Sequence, residues 1–426
     1  MFDFMSAAFR HGLKKVFQAY FIYGLNALVP LIILPVLIPL LGVQKWGELM
    51  TIASFALYMS FLIEGACHLF ATRVIAKQGQ AAKKAHFIAI VLIARLILSV
   101  FLIVIFIAVW LASDLFLERE NMVFWAFCWA MVLGHSSAWY FMGQQNLLVA
   151  GYVDALPKVI GLVICMIVID DPADSYLYFA IQCVLHFVVL VISYKYIFVT
   201  HRLGALLGRI RWAYGFKVLY KNARFVFSLH LIGSLYNTTI PFLLGWTHSL
   251  ESAGVYAVAD RVVRTVFNAS HPLRAALFPI LVARFSVAGQ DNRSYLRWSM
   301  GGTLFLAFAL YGILFFLSPY VQQYVFKLDL DVSLELIVQL LALQMLIQTV
   351  GTTLAMQYLL PLHHDFMYFF AVLTACLFAV GMILFGLTEE YALQAAKAVL
   401  HAEMLGAAII MFGGAYIYFS RGRKHD

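Results

Sequence analysis

Charge is what this chain has least of. Only 12% of its 426 residues are Asp, Glu, Lys or Arg, where a soluble domain carries about a quarter. An ordinary soluble fold is excluded, because 64% of the residues are hydrophobic and they fall in more long runs than one core can bury. Cysteine is also scarce. The five cysteines, Cys67, Cys128, Cys165, Cys183 and Cys376, all lie in apolar runs. They read as small hydrophobes and exclude both a disulfide framework and a thiolate metal site. Nucleotide and nucleophile signatures are missing too. There is no Walker lysine loop, no G-x-S-x-G elbow, no H-E-x-x-H and no dinucleotide fingerprint, so an ATP-driven pump is excluded and the chain is expected not to be an enzyme. Long polar connections on the outer side are lacking as well. A membrane glycan polymerase or ligase, which would need a sizeable outer loop with Arg or His, is thereby disfavoured.

What is present is a series of apolar runs. About twelve can be placed as membrane-spanning helices of ~20 residues, near 18–41, 48–70, 86–111, 122–142, 153–170, 176–198, 225–246, 253–283, 298–324, 334–360, 366–387 and 392–419. The segment MFDFMSAAFRHGLKKVF is basic and leads into a full-length run, so an uncleaved first helix is expected. The outer loops hold only Lys45, Arg119 and Lys327. Every other loop and tail cation, including Lys158 and the cluster Arg202, Arg209, Arg211, Lys217 and Lys221, falls on the opposite side. The positive-inside rule then puts both termini in the cytoplasm. The net charge of +8 reports basic loops against anionic lipid, and nucleic acid is not an expected partner.

The basic stretch 199–224 divides the chain into an N-lobe (1–198) and a C-lobe (225–426) of six spans each, with 199–224 as cytoplasmic linker. The halves share a pattern. Span one ends in LIPLLG (37–42) and span seven in IPFLLG (240–245), and each is followed by a glycine opening the next helix, Gly47 or Gly254. Six helices per half give repeats of one orientation, related by an axis along the membrane normal. Pro30, Pro35 and Pro39 should bend or break span one. Asn26, a turn before Pro30, would then face a protein-lined cavity.

The densest polar set lies in 254–286, GVYAVADRVVRTVFNASHPLRAALFPILVARFS. On a helix at ~100° per residue, Asp260, Arg264, His271 and Arg274 fall within roughly 80° of one another, with Arg261 at the edge. Such a stripe is costly against lipid and suits a wet cavity. Its excess is cationic, which fits phosphate or pyrophosphate, since Arg binds phosphate oxygens bidentately. A plain Asp260–Arg264 intrahelical pair is the structural alternative. Glu64 and His68 share a face of span two, and Arg95 of span three can pair with Glu64 or sit in the bundle interior. Glu64, Asp260 and Glu403 are the candidate ion-coupling acids. Asn237, within the polar run of span seven, joins Arg95 and Asn26 as a candidate cavity residue. The glutamines of span ten, Gln339, Gln344, Gln348 and Gln357, can line a sugar path or tie helices together.

Six segments carry a resemblance to a family. They are LVPLIILPVLIPLLGVQKWGEL (28–49), EGACHLFATRVIAK (64–77), WYFMGQQN (139–146), LLGWTHSLESAGVYAVADRVVR (243–264), PLRAALFPILVAR (272–284) and QYLLPLHHD (357–365). In this order they resemble the bacterial polysaccharide flippases of the O-antigen (Wzx) type, in the multidrug/oligosaccharidyl-lipid/polysaccharide exporter superfamily. One departure stands out. Where the family usually has Gln-Gly and, two residues on, Glu, this chain reads Met142, Gly143 and Gln145. The resemblance implies an all-α protein of the bacterial inner membrane, with two six-helix lobes around a central cavity. It implies export of an undecaprenyl-pyrophosphate-linked oligosaccharide to the periplasmic leaflet, driven by a proton or sodium gradient and without a cofactor. Polymerase and chain-length proteins of the same pathway would be its partners. A multidrug exporter of the same superfamily is the main alternative, and it would want an acidic cavity.

Overall fold

A computed structural model describes residues 32–65, 70–77, 80–206, 212–268, 270, 293–321, 334–359 and 365–422. Among these, secondary structure is helical throughout. In order the helices are α1 (Ile32–Leu41), α2 (Val43–Glu64), α3 (Phe70–Lys77), α4 (Ala81–Leu111), the single turn α5 (Asp114–Leu117), α6 (Glu120–Gly134), α7 (Ala138–Gly143) and α8 (Leu147–Val168). After a 3-10 turn at Pro172–Tyr176 come α9 (Leu177–His201), the short α10 (Leu203–Leu206), α11 (Trp212–Thr247), α12 (Leu250–Asn268), α13 (Arg293–Tyr320) and α14 (Leu334–Leu354). A π turn at Ala355–Leu359 extends α14, and α15 (Asp365–Phe385) and α16 (Tyr391–Gly422) close the sequence of elements.

Among the described residues, nine helical segments are long and apolar enough to cross a membrane. The runs expected from sequence fall on helices over their described parts, with the run 122–142 divided between α6 and α7 by a break at 135–137. α11 and α12 are not among the nine, for a chemical reason. Glu251, Asp260, Arg261 and Arg264 lie in α12, and the uncharged part of α11 carries His230, Ser234, Asn237, Thr238 and Thr239 in sequence. Of the bend or break expected in the first span, a break at Pro35 or Pro39 does not occur over its described part, since α1 runs through both to Leu41. The stop comes at Gly42, whose φ of 78° is the left-handed conformation that glycine adopts without a Cβ penalty.

The chain forms two compact units, and their boundary falls inside α2 and α11. One unit contains Leu49–Thr238, the other Pro30–Glu48 together with Thr239–Asp426. The stretch 199–224 holds the end of α9, α10 and the first turns of α11, with 207–211 outside the described residues.

In the first unit α9 packs on α6, α8 and α4, and α7 packs on α3 and α8. Its core holds Trp139, Tyr140 and Phe141 of α7 among Ile75, Ile88, Val91 and Leu92. Small residues let the backbones approach. A Cβ at Gly134 would lie 2.7 Å from the Cβ of Ile63, and one at Gly143 would lie 2.8 Å from that of Ile75.

In the second unit α12 packs on α13, α14 and α16, and α16 also packs on α14 and α15. Polar side chains tie these helices together. Gln357, in the π turn, accepts from Ser299 Oγ at 3.0 Å and donates to Thr303 Oγ1 at 3.1 Å. Gln339 donates to Ser318 Oγ and Glu335 Oε1, each at 3.0 Å. For these two glutamines of the tenth span, the helix-tying alternative is the one realised.

The two repeat glycines meet. A Cβ on Gly47 would run into the carbonyl oxygen of Leu250 and lie 2.7 Å from Gly254 N. One on Gly254 would run into the carbonyl oxygen of Val43 and lie 3.1 Å from Gly47 N. Each glycine is thus the other's partner, a self-complementary contact of the kind a two-fold axis produces. Gly254→Val should therefore cost about 1–3 kcal/mol as an overpacked contact, read as a lowered Tm of the purified protein. Gly302→Ala, at a glycine with open space around it, should leave Tm unchanged or slightly raised.

Candidate functional site

The candidate site rests on α12. Residues Ala253 to Ala259 are buried without interruption, so this half of the helix is enclosed on every side. One turn further on, polarity enters. Arg264 Nε donates to both carboxylate oxygens of Asp260, at 2.7 and 2.6 Å. The Asp260 and Arg264 side chains keep 14% and 25% of their surface accessible. Arg261, beside them, is half-buried, and its Nε is enclosed without a hydrogen-bond partner. An i,i+4 pair needs only helical spacing, so the sequence builds it locally. That it stays partly accessible on an enclosed helix is a tertiary fact. Groups of this charge are stable at membrane depth only where protein or water faces them.

The other expected residues are distributed differently. Glu64 is the last residue of α2 and half-buried, and Glu403 lies on α16, also half-buried. His68, His271, Arg274 and Asn26 lie outside the described residues, as does the side chain of Asn237. Of the expected set, the structure brings Asp260 and Arg264 into contact.

Arg95 is enclosed, with 1% of its surface exposed. Its Nη1 donates to the carbonyl of Ser136 at 3.0 Å, and its guanidinium carbon stands 5.8 Å from the centroid of the Trp139 ring. Ser136 lies in the gap between α6 and α7, where helical carbonyls lose their intrahelical partners. Tyr194 OH donates to the neighbouring carbonyl of His135 at 2.9 Å. Arg95 and Tyr194 therefore cap a helix break, and Trp139 adds a cation–π contact. The segment WYFMGQQN acquires a structural meaning here. Trp139 stacks on Arg95, Tyr140 OH meets His201 Nε2 at 2.9 Å, and Asn146 accepts from Val149 N to open α8. Gln145, where the family usually has Glu, is exposed in a left-handed turn with φ of 60°.

Sequence reasoning missed a second embedded pair. Lys158 Nζ donates to Asp154 Oδ1 at 2.8 Å in the middle of α8, with both side chains more than a third accessible. Lys158, assigned above to an inner loop, is a helix-interior residue. The signal was available as Asp and Lys four apart in GYVDALPKVIG. Also missed were Gln182 and His186 of α9, both buried. Among the described residues no cluster of His, Cys, Asp and Glu has a metal-binding arrangement.

Residues 13–285, more than half the chain, match the family model described as "Polysaccharide biosynthesis protein". The chain belongs to that family. A protein named "Putative O-antigen transporter" from Escherichia coli (strain K12) is 23% identical over 274 residues, covering 62% of this chain and 64% of that one. A protein of the same name from Shigella dysenteriae is 21% identical over 165 residues, covering 38% and 40%. The matched stretches thus span less than two thirds of these curated relatives. Among solved structures, the lipid II flippase MurJ in an inward closed conformation superposes with a TM-score of 0.67 at 13% identity, covering 94% of this chain and 87% of that one. An outward-facing MATE family multidrug transporter of the MOP superfamily gives 0.63 at 14% identity, covering 97% of each. The likeness to these two is one of fold. The resemblance read from the six segments holds, and these relatives and neighbours are named as transporters or flippases.

Arg95→Met should lower Tm and the yield of folded protein, because a buried carbonyl left without its donor costs about 1–3 kcal/mol. Arg95→Lys, which keeps a donor but loses the planar stack, should fall between the two.

Proposed function

We propose that this polysaccharide biosynthesis family member is a flippase. It carries an undecaprenyl-pyrophosphate-linked oligosaccharide, an O-antigen repeat unit or similar, from the cytoplasmic to the periplasmic leaflet of the bacterial inner membrane. The observation that carries this reading is the partly accessible Asp260–Arg264 pair, with Arg261 beside it, on an otherwise enclosed helix. Two guanidinium groups against one carboxylate make the site net cationic. That favours an anionic head group and disfavours a cationic drug. The phosphate oxygens replace the Asp260 carboxylate on Arg264, exchanging one charge-assisted contact for another, so the head group enters without stripping the guanidinium bare. Sugar and pyrophosphate cross along polar side chains while the lipid tail stays in the bilayer. Alternating access driven by a proton or sodium gradient supplies direction, with Glu64, Asp260 and Glu403 as the acids available to the ion.

Disrupting the gene should accumulate complete single repeat units on the cytoplasmic leaflet, read by leaflet-specific labelling of the lipid-linked sugar. Units that reach the periplasm and stay unpolymerised would instead indicate a polymerase. Arg264→Ala should abolish surface glycan while the protein still inserts, and Arg264→Lys should restore part of it. Unchanged glycan in the alanine variant would remove Arg264 from the mechanism.

A further inference from the structure

A second polar centre lies inside the first unit, where α6, α8 and α9 pack together. It is built from Trp129 of α6 and Gln182 and His186 of α9, which are 8%, 3% and 7% exposed. His186 Nδ1 lies 2.7 Å from the carbonyl oxygen of Gln182. A carbonyl only accepts, so Nδ1 carries the hydrogen and the Nε2 lone pair is the ring's remaining polar site. That Nε2 is buried without a partner, as are Gln182 Oε1 and Trp129 Nε1. The Trp129 and His186 rings stand 6.5 Å apart at 70°. Gln182 lies against the bare backbone of Gly161 on α8, where an added Cβ would come within 2.5 Å of its Nε2.

Three unmet atoms in one buried cluster offer one donor and two acceptors. Each would cost about 1–3 kcal/mol if left so. A single water within reach of all three would satisfy them, accepting from the Trp129 indole and donating to His186 Nε2 and Gln182 Oε1. A metal cation does not suit the set, because the indole N–H is a donor only and just two neutral acceptors remain. A proton needs a single acceptor. When solvent delivers a hydronium ion to this position, Nε2 takes the proton as one hydronium O–H bond breaks; the neutral water left behind accepts from the new Nε2–H and still donates to the Gln182 oxygen. The charged groups that act on the ring come from α8, Lys158 and Asp154, themselves an ion pair. From α6 the facing group is the non-titrating Trp129. The pair is partly accessible, which gives the buried centre a charged neighbour that is not itself sealed.

We propose that Trp129, Gln182 and His186 enclose a water-holding, proton-binding site, and that His186 Nε2 is where a coupling proton is taken up. Its role in coupling rests on the ion-driven transport proposed above. The chemistry is a proton transfer alone, with one N–H bond formed, the proton supplied by solvent and no electrons exchanged. Sequence did not single out this centre because a histidine in an apolar run has no distinguishing neighbours in the chain.

The test is nitrogen-15 NMR of the full-length protein, labelled at histidine, in lipid nanodiscs, with His186 assigned by the resonance missing from His186→Gln. At alkaline pH the ring should be the neutral Nδ1–H form, and on acidification it should convert to imidazolium. Trp129→Phe, which keeps the packing and removes one donor, should shift the midpoint of that conversion. A ring that stays neutral across the range in which the protein remains folded would overturn the proposal and leave a structural water site. A ring whose midpoint ignores Trp129→Phe would overturn the shared site. If His186 behaves as expected but Arg264→Ala retains surface glycan, it is the Arg264 head-group mechanism that falls. If His186→Gln keeps both its surface glycan and its dependence on external pH, the coupling role falls.

Discussion

A polar group at membrane depth must find its partner within the protein. Hydrocarbon offers no hydrogen bonds, so each unsatisfied group there is expensive. Most of the arrangement follows from this one constraint. Backbone groups are satisfied inside helices, and where a helix breaks, side chains complete the account. Arg95 and Tyr194 do so at the gap between α6 and α7. Buried side chains satisfy one another in the same way, Gln357 of the π turn bonding Ser299 and Thr303 of α13. Charges are satisfied in pairs, Asp154 with Lys158 and Asp260 with Arg264.

The same constraint separates structural polarity from functional polarity. Arg95 is sealed, with its contacts directed to a carbonyl and an aromatic ring. The pairs on α8 and α12 are left partly accessible. A sealed cation contributes to packing, while an accessible one on a membrane helix is held against its cost, which is why the proposed head-group contact is placed on Arg264. Exposure therefore distinguishes Arg264 from Arg95 more sharply than residue type does. Close packing has its own logic. With no hydrophobic drive between helices in lipid, contact must come from fit, and glycine supplies it. Gly47 and Gly254 meet backbone to backbone, while Gly134 and Gly143 admit the side chains of Ile63 and Ile75.

Much of the fold was legible because helix-forming apolar runs are local signals. The expected spans fall on helices over their described parts, and the glycine pair was marked in the chain by LIPLLG and IPFLLG. The Asp260–Arg264 pair was legible because four-residue spacing implies contact on any helix. Asp154–Lys158 obeyed the same rule and was passed over, because Lys158 was counted among the loop cations although it falls inside the run 153–170. Pro35 and Pro39 leave α1 unbroken, since a proline rule describes a cost and not an outcome.

The sequence by itself determined that the chain is helical and membrane-embedded, and where its intrahelical ion pairs form. Those depend on neighbours in the chain, through side-chain hydropathy and helical period. Only the tertiary structure decided that Arg95 caps a distant helix break, that the two repeat glycines touch, and that Trp129, Gln182 and His186 share a buried centre. Those depend on helices far apart in sequence, and nothing local records which face of one meets which face of another.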